Sequence, residues 1–88
     1  MYTVYVLKSD KDGKLYYGLT RDLERRLQEH NSGNVHSTRS RIPFKVAYFE
    51  VVETMESARK RERYFKSGFG RKYIKNKLKK NTALSSNG

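Results

Sequence analysis

Two short runs rich in β-branched and aromatic residues, Tyr2–Lys8 and Leu15–Thr20, flank the segment Ser9-Asp10-Lys11-Asp12-Gly13. Small and acidic residues ending in a glycine are the chemistry of a hairpin turn, so the chain opens as two antiparallel strands. No other feature constrains the fold as much, because strand parity decides which side chains share a face. A register pairing Tyr5 with Tyr16 puts Tyr2, Val4, Val6, Leu15, Tyr17 and Leu19 on one face, the expected core. The opposite face then carries Thr3, Tyr5, Leu7, Lys14, Tyr16 and Gly18. On that reading two phenols lie side by side on a more polar surface, where glycine leaves backbone room.

The second strand runs directly into a helix, which Thr20 or Asp22 can cap and Asn31-Ser32-Gly33 ends. On a helical wheel Leu23, Leu27 and His30 form one stripe with Arg26 on its flank, while Arg25 points to the far side. Residues 34–43 have no periodicity and hold His36, Ser37, Thr38, Arg39, Ser40 and Arg41, which suits a phosphate-holding loop or an ordinary surface loop. Lys45–Glu53 reads as a third, largely buried strand. Thr54 caps a second helix running to about Ser67, where Gly68 stops it. Its apolar stripe is Ala58, Phe65 and Phe69, with Glu62 in the middle. A third helix over Arg71–Lys80 is anchored by Ile74 and Leu78. The chain of 88 residues has room for one domain, expected over residues 1–80, with 81–88 a disordered tail.

Lys and Arg number 20 against 9 Asp and Glu, a net charge of +11, and the basic residues run from the first helix onward instead of collecting in a tail. This points to a polyanionic partner. The accompanying aromatic residues favour nucleic acid over a membrane surface, which would need a broad apolar helix face that the sequence lacks. A soluble basic domain whose charge serves only solubility is the plainer alternative. The absence of cysteine excludes disulfides and thiolate metal sites. No apolar run is long enough for a signal peptide or membrane span, so a cytoplasmic protein is expected.

Arg26, His30 and Glu62 lie on or beside stripes where Leu or Ala would serve a core better. A buried unpaired charge costs several kcal/mol, so each must be paired or must line a cleft. One reading is an Arg26–Glu62 salt bridge with His30 as a satisfied neighbour; the other is a site. One acidic residue, two tyrosines, an arginine and a histidine suit phosphodiester hydrolysis. Glu62 would hold one Mg²⁺, an ion that keeps several waters. Arg26 would neutralise charge growing on phosphate oxygens, and Tyr5, a weak base at neutral pH, would need activation by a metal or a nearby cation.

The order and spacing of several short segments resemble the GIY-YIG endonuclease superfamily, especially its small single-domain bacterial members. Thr3-Val4-Tyr5 stands at the first motif, Tyr16-Tyr17-Gly18 at the second, and Asp22-Leu23-Glu24-Arg25-Arg26 at the segment ending in the family's arginine. Glu29-His30-Asn31-Ser32-Gly33, Ser40-Arg41-Ile42-Pro43-Phe44 and Ala58-Arg59-Lys60-Arg61-Glu62 extend the likeness, which covers about residues 2–80 and reaches the nuclease domain of structure-specific junction endonucleases. The resemblance implies an α/β (α+β) domain with a central three-stranded antiparallel sheet flanked by helices, and one divalent ion, Mg²⁺ or Mn²⁺, per site. It implies Tyr5 as general base or its relay, Tyr16 orienting water or phosphate, Gly18 permitting close backbone approach, Arg26 stabilising the transition state and Glu62 holding the metal. His30 matches a histidine near the scissile phosphate in some members; His36, Ser37 and Asn76 are weaker correspondences. Thr3 replaces the first motif's glycine and Tyr17 the second motif's isoleucine, both at scaffold positions.

The expected activity is metal-dependent cutting or nicking of DNA, structure-selective and linked to repair or recombination. A protein partner would supply specificity, and a small-molecule substrate is not expected. The alternative is a non-catalytic basic nucleic-acid-binding module with the same fold.

Overall fold

The structure, a computed structural model, describes the backbone of residues 1–87 and the side chains of residues 1–79. It starts with the expected hairpin, β1 (Tyr2–Ser9) and β2 (Leu15–Thr20). At the turn Ser9 Oγ accepts hydrogen bonds from the Lys11 and Asp12 amides at 3.1 and 3.2 Å, and Gly13 takes φ +71°. The left-handed backbone that closes the turn is open to glycine at little steric cost.

The helix α1 (Leu23–Asn31) follows, capped by Asp22, whose carboxylate accepts from the Arg25 amide at 3.1 Å. A short helical turn at Arg39–Arg41 leads into β3 (Phe44–Val52). Thr54 caps α2 (Met55–Lys66), and α3 (Gly68–Asn87) begins after the single residue Ser67. The three strands form one antiparallel sheet in the order β2-β1-β3. This is the α+β architecture expected from the sequence.

The hairpin register differs from expectation. Tyr5 lies opposite Gly18 and Leu7 opposite Tyr16, a slide of two residues that keeps the parity and hence the faces. Val4 and Val6 therefore do point into a core with Ala58, Phe65 and Ile74, and Tyr2, Leu15, Tyr17 and Leu19 pack around it. The opposite face is not a polar surface. Tyr5, Leu7 and Phe44 form a second core there, covered by Leu23 and Leu27 of α1. β1 is the central strand and is buried on both sides.

β3 is an edge strand and less buried than its composition suggested, with Phe49 and Val51 about half exposed. Val6 faces Tyr48 and Leu7 faces Val46, so Ala47 is an extra residue, a β-bulge. The bulge changes the alternation within β3: Phe44 and Val46 pack in the α1-side core, whereas Tyr48 and Val52 pack against α2 and α3.

Two expectations at the C-terminal helices are corrected. Gly68 starts α3 instead of only stopping α2, and Phe69 is 82% exposed instead of completing the apolar stripe of α2. Ser67 makes the immediate restart possible, because its carbonyl accepts from the Arg71 amide at 2.9 Å and its hydroxyl from the Gly70 amide at 3.2 Å. α3 is drawn past the expected end at Lys80, and the disordered tail expected over 81–88 falls on residues whose side chains lie outside the described ones.

Gly70 sits where α3 turns back across α2, and a Cβ there would lie 1.7 Å from the Tyr64 carbonyl oxygen and 2.6 Å from the Phe65 Cα. Those are backbone atoms that cannot swing aside. Gly70→Ala should therefore destabilise the fold by about 1–3 kcal/mol or more. Gly68→Ala, two residues away in open space, should stabilise by about 0.4–1 kcal/mol through helix propensity and a less flexible unfolded chain. Urea unfolding of the two variants checks the opposite signs.

Candidate active site

The site begins with a packing problem. Tyr5 is 1% exposed and His30 0%, so both must satisfy their polar atoms inside the α1-side core. The Tyr5 hydroxyl meets His30 Nε2 at 3.1 Å, and His30 Nδ1 meets Thr38 Oγ1 at 2.8 Å. The hydroxyl of Thr38 donates to the Val35 carbonyl at 3.4 Å, so it accepts from His30 Nδ1–H. This accounting assigns the imidazole proton to Nδ1 and leaves Nε2 to accept from Tyr5. Burial, and then the Arg26 charge, push the His30 pKa below its ordinary value, which agrees with a neutral ring.

Gly18 completes the packing. A Cβ there would lie 2.5 Å from Tyr5 Cζ and from its hydroxyl oxygen, so the phenol crosses the space that a side chain on β2 would fill. The sequence expectation of glycine allowing close approach finds its reason in the ring of Tyr5. Tyr16, partly exposed, stands edge-on to His30 with ring centroids 5.0 Å apart. The two phenols are not register partners; they converge on one imidazole from adjacent strands.

The two arginines of α1 are as different as the wheel implied. Arg25 is 77% exposed in its side chain and Arg26 35%. Arg26 Nη1 donates to Glu29 Oε1 at 3.1 Å, one turn along the helix. Burial pushes the Tyr5 pKa up, the nearby Arg26 guanidinium opposes that shift, and the charges of Tyr16 and Glu62 add to it. Tyr5 thus lies within electrostatic reach of both Arg26 and Glu62.

The Arg26–Glu62 bridge, one of the two readings of these residues, does not form. Among the described residues Arg26 pairs with Glu29, and Glu62 faces Lys66 Nζ at 3.6 Å. Nor is Glu62 in the middle of a buried face. It is half-buried, in an open depression lined by Leu19, Met55, Arg59, Arg63 and Lys66. Leu19 also lines the neighbouring depression, with Thr20, Asp22, Arg26 and Glu29, so the depression of the carboxylate and that of the guanidinium share a β2 residue.

A second ion pair holds α2 in place. Arg61 grips Glu50 of β3 with two hydrogen bonds, Nε to Oε1 at 2.9 Å and Nη2 to Oε2 at 3.0 Å, and the Tyr48 hydroxyl donates to Oε2 at 2.6 Å. The guanidinium also lies 4.9 Å from the ring centroids of Tyr64 and Phe65. Burial works against the Glu50 carboxylate, yet Arg61 and Tyr48 outweigh it and hold its pKa below the ordinary value. The next residue after this clamp is Glu62.

His30, expected near the scissile phosphate, is sealed behind Tyr5 and cannot touch a ligand without rearrangement. His36 and Ser37 are exposed, with the His36 ring bonded to the Arg39 guanidinium, and Asn76 is exposed on α3; none joins the Tyr5–His30 group. Reasoning from sequence placed Thr38 in an aperiodic loop without its bond to His30, and missed Glu29, which the i,i+3 spacing to Arg26 signals. It also missed Asn31, whose side chain donates to the Phe44 carbonyl at 3.0 Å and accepts from its amide at 2.7 Å, tying α1 to the start of β3. Among the described residues no group of three or more His, Asp or Glu side chains gathers to hold a metal.

A family model described as the GIY-YIG catalytic domain matches residues 1–81. A UPF0213 protein of Clostridium perfringens is 47% identical over 64 residues, 72% of this chain and 68% of the relative. Another, of Bacillus licheniformis, is 46% identical over 63 residues, 70% of this chain and 64% of the relative. The solution NMR structure of a UPF0213 protein from Bacillus halodurans superposes with a TM-score of 0.53 at 31% identity, covering 86% of this chain and 84% of that one.

The buried imidazole makes stability depend on pH. The folded-state pKa of His30 lies below its unfolded value, so below about pH 6.5 the unfolded chain binds the extra proton first. Stability is complete above that pH and falls as the solution is acidified toward the folded-state pKa. Urea midpoints between pH 7.5 and 5.5 should drop for the native chain, and the drop should be smaller in His30→Gln.

Proposed function

This chain belongs to the GIY-YIG family, and on that premise we propose that it is a metal-dependent endonuclease that cuts or nicks DNA. What supports the reading is that Tyr5 and Tyr16 meet at His30, that Arg26 and Glu62 both act electrostatically on Tyr5, and that the depressions holding Arg26 and Glu62 share Leu19. A domain that only bound polyanions would gain nothing from a half-buried carboxylate set among Arg59, Arg63 and Lys66.

The donor set fits a divalent ion such as Mg²⁺ or Mn²⁺. Glu62 offers one carboxylate at an open surface, and Mg²⁺ binds through one or two carboxylates while keeping waters and taking phosphate oxygens. When bound, the ion would polarise the phosphate and lower the pKa of a coordinated water. The surrounding cations suit the negative charge that a phosphodiester brings.

The protein's own groups divide the remaining work. Arg26, exposed enough to reach a ligand and fixed by Glu29, neutralises charge on the phosphate oxygens. Tyr16, the more accessible phenol, orients water or phosphate. The burial of Tyr5 and its bond to His30 favour the relay role: the hydroxyl passes its proton to Nε2 as it takes one from the side of the substrate. His30 then acts through Tyr5, with Thr38 fixing its tautomer. A cytoplasmic setting, a link to DNA repair and a protein partner that supplies specificity belong to the same reading. Among the described residues no helix is long and apolar enough to cross a membrane.

Purified protein should nick supercoiled DNA when Mg²⁺ or Mn²⁺ is added and stop when EDTA removes it. Glu62→Gln should abolish nicking and leave salt-sensitive DNA binding in place, while Arg26→Ala should slow nicking by about 10²–10³-fold. DNA that is bound but never cut under either metal would leave the binding-module reading instead.

A further inference from the structure

A second groove lies between the hairpin tip and α3, about 350 Å³ in volume, lined by Gly13, Lys14, Leu15, Tyr17, Arg71 and Lys75. No carboxylate lines it. Lys14, Arg71 and Lys75, like many basic residues of this chain, have no acidic partner within 4 Å among the described residues, and here three of them line one groove. Three uncompensated cations facing one groove repel each other, and an anion relieves that repulsion. Tyr17 adds a neutral donor. The residue packs at the edge of the core and also lines the groove, and its hydroxyl has no hydrogen-bond partner among the described residues. Burial raises its pKa and the charge of Arg71 opposes the rise. An aliphatic side chain at this position would fill the same core space without supplying the hydroxyl.

We propose that this groove is a phosphate-binding subsite for the DNA backbone, separate from the cleft at Glu62 and Arg26, with Arg71, Lys75 and Lys14 as its cations and Tyr17 as its hydroxyl donor. The subsite rests on the reading of DNA as substrate. β2 links the two places: Leu15 lines the groove and Leu19 the cleft, four residues apart on the same face of one strand. At about 3.3 Å per residue that is about 13 Å. Both places therefore fall along one stretch of backbone, with the groove a few nucleotides from the bond held at the cleft. Holding a phosphate there fixes the register of the backbone without reading a base.

The test uses Glu62→Gln protein and a labelled 20-base-pair duplex, with anisotropy titrations at a series of KCl concentrations. Adding Arg71→Gln and Lys75→Gln should weaken binding at least tenfold at about 0.1 M salt and reduce the slope of log K against log salt by about 2. Adding Lys45→Gln and Lys60→Gln, an equal loss of charge elsewhere, should weaken it less than threefold. Amide NMR of the same protein should show Tyr17 and Arg71 shifting when the duplex is added. Equal losses in the two double variants, or silent amides at Tyr17 and Arg71, would overturn the subsite. Nicking is read separately on the native chain: DNA bound but uncut removes the endonuclease reading and leaves the subsite standing, while no duplex binding at all overturns both.

Discussion

Burial of β1 on both faces is the constraint on which the rest of the molecule depends. A strand between two neighbours in a sheet, with helices on either side, cannot send alternate side chains to water. Val4 and Val6 enter one core and Tyr5 and Leu7 the other. Leu7 needs no partner, but a phenol drawn into that space must find one. His30 supplies it from α1 and must in turn be satisfied, which brings in Thr38 from the loop before β3. Three separate pieces of chain are thereby linked through one imidazole, and Gly18 is required because the ring of Tyr5 occupies the space above it.

Charge acts on a second level. Several ion pairs, such as Lys60–Glu56 and Lys45–Asp10, are exposed and contribute little to stability. Glu50–Arg61 is different, because it is bidentate, half-buried, supported by Tyr48 and stacked on aromatic rings. It fixes the orientation of α2 on the sheet and so sets where Glu62 emerges. Gly70 has the same kind of effect from the other side, letting α3 approach the end of α2 closely enough to seat Ile74 in the core. The carboxylate of the proposed reaction thus depends on contacts that never approach a substrate.

The hairpin, the capping of α2 by Thr54, the two candidates for the cap of α1, of which Asp22 serves, and the distinction between Arg25 and Arg26 were legible in sequence because each follows from spacing within one element. Parity assigned the faces of β1 and β2 correctly even though the register was off by two, since a slide of two leaves every side chain on its own face. Phe69 could not be read so simply. Its place on the stripe of α2 assumed an unbroken helix, and the break at Ser67 turned it outward.

The sequence by itself determined the elements, their caps, the basic surface and the family to which the chain belongs, all of which depend on local spacing and composition. Only the tertiary structure decided that Tyr5 is buried against His30 and that Thr38 completes the chain of hydrogen bonds. The bulge at Ala47 and the edge position of β3 belong to the same class. The physical reason is that a polar atom's partner is chosen by desolvation after the elements pack, among groups that can be 25 residues apart, as Tyr5 and His30 are. No periodicity within a single element carries that information.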